Sequence, residues 1–276
     1  MRGTMKAHSV RAIVAATVLA ALGASSSFAI AQGTAPAAAP AAAAAPAETY
    51  TVPSNAPAYI KKAVESPSRT AEQKARDANR KPAEVLMLSG VKPGDKVVEF
   101  ASFGQYFTTL LSDIVGPKGQ IYMYDLPYTE ARSGAPSRAF VAAHSNAKYE
   151  LVDYNTLELP KDVDIVFNVL YYHDLPLNNI DTASLNARIL KALKPGGIFF
   201  VVDHNAEPGS GTRDTKTLHR IDPAVIKKEV TAAGFELVEE SKLLAHAEDD
   251  HTKMVFSPGT RGLTDQTIFK FRKPKK

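Results

Sequence analysis

Cysteine is absent from all 276 residues, which excludes a disulfide framework, a thiolate metal site and a thiol nucleophile, and permits an oxidising compartment. Tryptophan is absent too, which excludes nothing. The apolar run from Ala12 to Leu22 is about half of the roughly 20 residues that a membrane-spanning helix needs, so no stable membrane insertion is expected. An excess of one charge is also missing. The chain carries 33 Lys and Arg against 29 Asp and Glu, a formal charge of +4, and three of those basic residues and no acid precede residue 32, which leaves the rest at +1. No basic stripe argues for a nucleic-acid partner, and the basic end at Lys270 to Lys276 reads as a solvated tail.

What is present begins with a leader. Arg2, Lys6 and Arg11 precede the short apolar run, and Ala29-Ile30-Ala31 offers a small-x-small cleavage site before Gln32. Residues 1–31 therefore read as a signal peptide, and the expected location is the periplasm or the medium. Residues 32–52 are dominated by Gly33 to Ala47, almost entirely Ala and Pro without charge or period, a composition too poor in large side chains to order itself. They are expected to form a disordered spacer ahead of one domain over 53–276, a length that suits a single α/β unit.

Along that domain, hydrophobic runs alternate in type. Ser68 or Thr70 is placed to cap a helix running towards Lys81, and Pro82 opens another that Gly90 closes. Short β-branched or aromatic strands follow at 96–100, 120–124, 148–152, 163–170 and 198–202, separated by helical patterns at 106–115, 137–144 and 185–193. A helix over 223–233 and strands at 235–240 and 266–271 complete the set. The fold class is thus α/β, a doubly wound and mostly parallel seven-stranded sheet with an N-terminal helical extension.

In such sheets a ligand lies beyond the carboxyl ends of the strands, where the strand order reverses. Glu99, Asp125, Asp153, His173-Asp174 and Asp203-His204 stand at the ends of the first five strands in turn. Acids at five consecutive strand ends exceed what helix capping and loop polarity need. The stretch from Val91 to Leu110, strand then tight turn then helix start, is a cradle for a nucleotide-type cofactor.

The residues that bracket these strands carry a resemblance. They are Lys92-Pro-Gly-Asp95, Val115-Gly-Pro-Lys-Gly-Gln-Ile-Tyr122, Leu193-Lys-Pro-Gly-Gly197, Asp203-His-Asn-Ala206, Leu218-His-Arg-Ile-Asp222, Ala233-Gly-Phe235 and Arg261-Gly-Leu-Thr-Asp265. With them the chain resembles the class I S-adenosylmethionine-dependent methyltransferase superfamily, and more closely a group of exported bacterial predicted methyltransferases. The resemblance implies a Rossmann-like methyltransferase fold and S-adenosyl-L-methionine as cofactor. It implies that Glu99 and the turn at Ala101, Phe103 and Gly104 face the methionine end, that Asp125 accepts from the ribose hydroxyls, and that Asp153 sits by the adenine amine. The chain departs from the family at the turn: glycines are expected near 101, 103 and 105, where Ala101, Phe103 and Gln105 stand. Either the turn is remodelled with Phe103 packed away, or the ring fills part of the cavity.

Methyl transfer to oxygen or nitrogen needs an aligned acceptor and a place for its proton. His173 and His204 are the expected groups for both tasks. Tyr172, His219, Arg220 and Arg261 are expected to bind the small-molecule acceptor, with Arg220 or Arg261 either forking an anion or pairing with Asp265 as structure. Arg76 and Arg80, four apart beside Asp77, line either the site or a solvated helix face. No residue is assigned as a metal ligand. Two other readings are open: an inactive methyltransferase-like binding or scaffold domain, and a metal-assisted hydrolase built on His173, Asp203, His204, His219, Asp249, Asp250 and His251. No His-x-x-x-His spacing supports the last. Nothing in the sequence bears on oligomeric state.

Overall fold

The computed structural model describes residues 49–275. The leader and nearly all of the Ala/Pro-rich run lie outside the described residues. Tyr50, expected to fall in the spacer that ends at residue 52, is part of the folded unit: its hydroxyl donates to Glu84 at 2.5 Å and accepts the Ala83 N–H at 3.1 Å. Among the described residues no helix is long and apolar enough to cross a membrane.

Four short helices come first: α1 (Ala58–Val64), α2 (Ala71–Lys74), α3 (Asp77–Arg80) and α4 (Pro82–Ser89). The single helix expected between Thr70 and Lys81 is broken into α2 and α3. Thr70 caps α2 in a reciprocal box with Gln73, which satisfies two otherwise orphaned N–H groups. Asp77 opens α3 and is drawn into the interior. Arg69 donates to both its oxygens at 2.8 and 2.6 Å, and the Tyr106 hydroxyl donates to one of them at 2.6 Å. Lys81 then adopts a left-handed φ of 43°, which ends α3 and lets Pro82 begin α4 at the position where its missing N–H costs nothing.

The sheet follows. Its elements are β1 (Lys96–Phe100), α5 (Tyr106–Val115), β2 (Gln120–Asp125), α6 (Ala135–Ala143), β3 (Ala147–Leu151), β4 (Val163–Val169), α7 (Thr182–Ala192), β5 (Leu193–His204), α8 (Thr215–Leu218), α9 (Pro223–Ala232), β6 (Glu236–Ser241) and β7 (Gln266–Arg272). The seven strands lie in the order β3-β2-β1-β4-β5-β7-β6. The pairs from β3 through β5 are parallel, and β7 runs antiparallel to both β5 and β6. The order reverses between β1 and β4, which sets a crevice beyond their carboxyl ends.

Alternation along the strands builds two cores. Val97, Ile121, Phe167 and Phe200 face α4 and α5, while Val98, Val166, Val201 and Phe269 face α7 and α9, all of them buried. Each fully buried Val or Phe contributes roughly 1.5–3 kcal/mol, so the central strands are the rigid floor on which the crevice rests. Strand β5 starts at Leu193, earlier than its apolar run. Lys194-Pro-Gly-Gly197 is therefore an irregular first turn of the strand, with a register shift opposite Val163 and Ile165, rather than a loop after α7. The outer strand β6 is largely exposed and carries Glu236, Glu239 and Glu240, charges that discourage edge-to-edge pairing.

Candidate functional site

A cavity of about 680 Å³ opens at the β1/β4 switch point. Its floor is the turn after β1. Ala101 (φ 58°), Gly104 (φ 70°) and Gln105 (φ 48°) all have left-handed backbones, so two of the positions where the family has glycine keep the glycine-like conformation without glycine. A left-handed non-glycine residue costs roughly 1–2 kcal/mol, and the surroundings hold the turn in place. Gln73 Nε2 of α2 donates to the carbonyls of Gly104 and Gln105 at 3.3 and 2.9 Å. Asp125 accepts the Ser102 N–H at 2.8 Å and the hydroxyls of Ser102 and Ser133 at 3.2 and 3.3 Å. Phe103, whose φ is not left-handed, needs no glycine. Its ring forms a wall of the cavity, edge-on to Tyr171 at 5.7 Å and under the Arg132 guanidinium at 4.5 Å. The ring neither packs away nor closes the hollow.

Charge is distributed unevenly around this floor. Glu99 is buried, and its one hydrogen bond is from the Thr108 hydroxyl at 2.6 Å. Burial, with Asp125 nearby, pushes its carboxyl up to about 8. Among the described residues no cation pairs with it. Arg76, Arg80 and Arg261 also line the cavity, and none of them is ion-paired with a carboxylate among the described residues. Arg76 and Arg80 stack on Tyr106 at 5.3 and 4.6 Å. Burial, reinforced by Arg76 and Arg261, lowers the Arg80 guanidinium to about 9. A buried acid lacking a cation and a cluster of arginines lacking an anion share one hollow.

The third side is histidine. Asp203, at the end of β5, accepts His173 Nδ1 at 2.6 Å, the His173 N–H at 2.7 Å and the His204 N–H at 2.8 Å. Burial opposes charge on His173, but Asp203 and Asp174 outweigh it and raise the imidazole. The Asp203 carboxyl is correspondingly lowered, the His173 interactions overcoming its burial. His204 is bonded through Nδ1 to Thr264 at 2.7 Å, and burial together with His173 and Arg220 pushes it down to about 3. It is a neutral ring and a poor base. His219 faces His173 at 90° with 5.4 Å between ring centres.

Of the residues expected to bind the cofactor or acceptor or to act on it, the cavity brings together Glu99, Ala101, Phe103, Gly104, His173, His204, His219 and Arg261. Four others do not line it. Asp125, expected at a ribose, is fully buried behind the turn because Ser102 and Ser133 occupy its oxygens. Asp153 lies exposed and accepts the Asn155 N–H at 2.9 Å, which makes it a turn former. Tyr172 points into the second core, donating to Glu229 at 2.9 Å and accepting from Asn186 at 2.8 Å. Its neighbour Tyr171 lines the cavity instead, since successive residues of this tight turn face opposite ways. Arg220 is fully buried and forks Asp249 at 2.7 and 3.0 Å while donating to the carbonyls of Asn205 and Lys253, so its donors clamp a loop. Arg76 and Arg80 line the site rather than a solvated face, and their spacing around the buried Asp77 was the available signal. Tyr128, Arg132 and Phe256 also line it, and no pattern in the sequence marks them.

No family model matches the chain. It is 28% identical over 119 residues to the ubiquinone/menaquinone biosynthesis C-methyltransferase UbiE of Saccharophagus degradans, covering 43% of this chain and 46% of that one. It is 27% identical over 126 residues to the same-named protein of Ectopseudomonas mendocina, covering 45% and 47%. The chain thus spans about half the length of the curated relatives it matches. Among solved structures, an S-adenosylmethionine-dependent methyltransferase from Aquifex aeolicus superposes with a TM-score of 0.54 at 17% identity, covering 78% of this chain and 96% of that one. The cyclase SpnF superposes at 0.51 and 17% identity, covering 76% and 84%. The fold is that of the class I methyltransferases, and it also carries a cyclase, so the reaction has to be argued from the site.

Proposed function

We propose that this chain of the class I methyltransferase superfamily binds S-adenosyl-L-methionine in the cavity at the β1/β4 switch point and methylates a small molecule there. The observation that carries the reading is a buried acid without a cation and arginines without an anion in one cavity. Buried Glu99 suits the ammonium and sulfonium of an amino-acid sulfonium, and Arg76, Arg80 and Arg261 suit its carboxylate. The cavity, about 680 Å³, lies within the range of cofactor sites. The residues fit the methionine end well. The ribose end lacks its expected acceptor, because Asp125 is turned into the protein.

When bound, the cofactor supplies an electrophilic methyl carbon: the acceptor's lone pair forms the new bond, the C–S pair stays on sulfur, and the acceptor's proton must leave. His173 presents Nε2 to the acceptor while Asp203 fixes Nδ1, so His173 orients the acceptor and takes that proton. His204, neutral, contributes a hydrogen bond. Phe103 and Tyr171 form an apolar wall beside the reacting groups. Calorimetric titration with S-adenosylmethionine and S-adenosylhomocysteine tests the proposal, and no heat at millimolar ligand refutes it.

A second reading, a ligand-binding domain without transfer, is favoured by the burial of Asp125. Binding of S-adenosylmethionine with no demethylated product across a panel of phenolic, carboxylic and amine acceptors would select it. We also read residues 1–31 as an export signal. Cell fractionation should give a processed form beginning near Gln32 outside the cytoplasm, and an unprocessed cytoplasmic chain overturns that reading.

A further inference from the structure

The geometry points to a divalent transition-metal site on the acceptor side of the cavity, with His173 Nε2, His219 Nδ1 and an Asp174 oxygen as ligands and one open position facing the hollow. One ligand atom from each of the three lies within 4.8 Å of the others. Asp174 Oδ1 is 3.3 Å from His173 Nε2 and 3.2 Å from His219 Nδ1. Charge-assisted hydrogen bonds draw nitrogen and oxygen to roughly 2.7–2.9 Å, as the neighbouring His173–Asp203 contact does at 2.6 Å. The edge of a tetrahedron with metal–ligand bonds of about 2.0–2.1 Å is roughly 3.3 Å, which matches both Asp174 separations, the His219 contact serving as a long hydrogen bond when no ion is bound.

Two further features fit an ion. Asp203 holds His173 Nδ1 and also accepts two backbone N–H groups, so the tautomer is fixed with the lone pair on Nε2. This is the carboxylate–imidazole support that metal-binding histidines use. Charge also fits: the carboxylates of Asp174 and Asp203 carry a formal charge that one divalent cation cancels. Two imidazoles with one carboxylate suit zinc, cobalt, iron or manganese. All three ligands line the cavity, so the fourth position is open to an oxygen or nitrogen of the acceptor, and the ion favours the deprotonated form of that atom. One lone pair serves one partner, so with the ion bound the metal takes over deprotonation, and in the metal-free chain that task stays with His173. What the ion does rests on the methyl-transfer reading; whether it binds does not.

The test uses the full purified chain, stripped with chelator and titrated with Co²⁺, whose visible absorption reports a tetrahedral nitrogen and oxygen site. One Co²⁺ per chain is expected, displaced by Zn²⁺. His219→Ala and Asp174→Asn, both at partly exposed side chains, should abolish the absorption. Asp203→Asn should weaken binding by roughly 10–100-fold. His246→Ala, in a separate cavity, should leave binding unchanged. No stoichiometric uptake by the wild-type chain, uptake that survives both ligand variants, or loss in His246→Ala each overturns the proposal. Calorimetry with S-adenosylmethionine on the stripped protein separates the two readings. Cofactor binding without Co²⁺ uptake removes the metal alone, and Co²⁺ uptake without cofactor binding removes methyl transfer alone.

Discussion

Replacing Glu99 by Gln probes the charge pattern at its source. The carboxyl rises from its ordinary 4.5 to about 8 because burial penalises its charge. Between those two values the folded chain holds a proton that the unfolded chain has released. Stability therefore falls as pH rises from about 4.5 to 8 and stays low above it. At about 1.4 kcal/mol per pH unit the loss is roughly 5 kcal/mol. For a domain of this size each kcal/mol shifts the melting temperature by about 2–4 °C, so the decline is on the order of 10 °C or more. Gln keeps the shape and still accepts from Thr108, but it cannot ionise. Thermal unfolding of wild type and Glu99→Gln from pH 5 to 9.5 should show the variant gaining on the wild type as pH rises, with the difference levelling off above about 8. A cationic ligand compensates the ionised carboxylate, so S-adenosylmethionine should bind the wild type more tightly as pH rises through that value and should lose this dependence in the variant. A stability difference that is flat across the range refutes the argument, because Glu99 would then not be a buried acid without a cation.

Other outcomes follow from the same contacts. Arg80→Gln should raise the stability of the free protein by removing a poorly solvated charge, and should weaken S-adenosylhomocysteine binding roughly tenfold, the scale of one lost charge-assisted hydrogen bond; unchanged affinity by calorimetry would separate Arg80 from the ligand. Ala101→Gly trades a left-handed strain of roughly 1–2 kcal/mol for a backbone-entropy cost of about 0.5–1 kcal/mol, so urea unfolding should show a gain of up to about 1 kcal/mol, and a loss would mean that the turn is not strained. Arg220→Ala leaves Asp249 buried without its partner and should cost about 3–5 kcal/mol in the same assay. Phe103→Gly should leave cofactor binding unchanged or weaken it by calorimetry, because the ring is a wall of the cavity; tighter binding would mean that the ring intrudes on the adenosyl group.

The sheet was readable because its evidence is local. Each strand is a short run of β-branched and aromatic residues bounded by Gly, Pro or Asp, and each observed strand begins and ends within a few residues of the expected place. The exception is β5, whose start depends on pairing with Val163 across the sheet. The turn after β1 was readable in outline for the same reason. Its glycine-like conformation at Ala101 and Gln105 was not, because the contacts that hold it come from Gln73 and Asp125, distant in sequence. Site residues divide along the same line. Glu99 and His204 are in the cavity because strand ends determine where they emerge. Tyr171 and Tyr172 are chemically interchangeable in the sequence, and only the packing of Tyr172 on Glu229 and Asn186 decides which one lines the hollow.

By itself, then, the sequence determined the order and type of the elements and the positions at which acids and histidines leave the sheet, since hydrophobic period and turn chemistry are properties of neighbouring residues. The tertiary structure alone decided which charges are compensated. Asp125 and Arg220 find partners and become structural, while Glu99 and the arginines of the first helices find none and face one cavity, because compensation is a matter of distance in space and not of spacing along the chain.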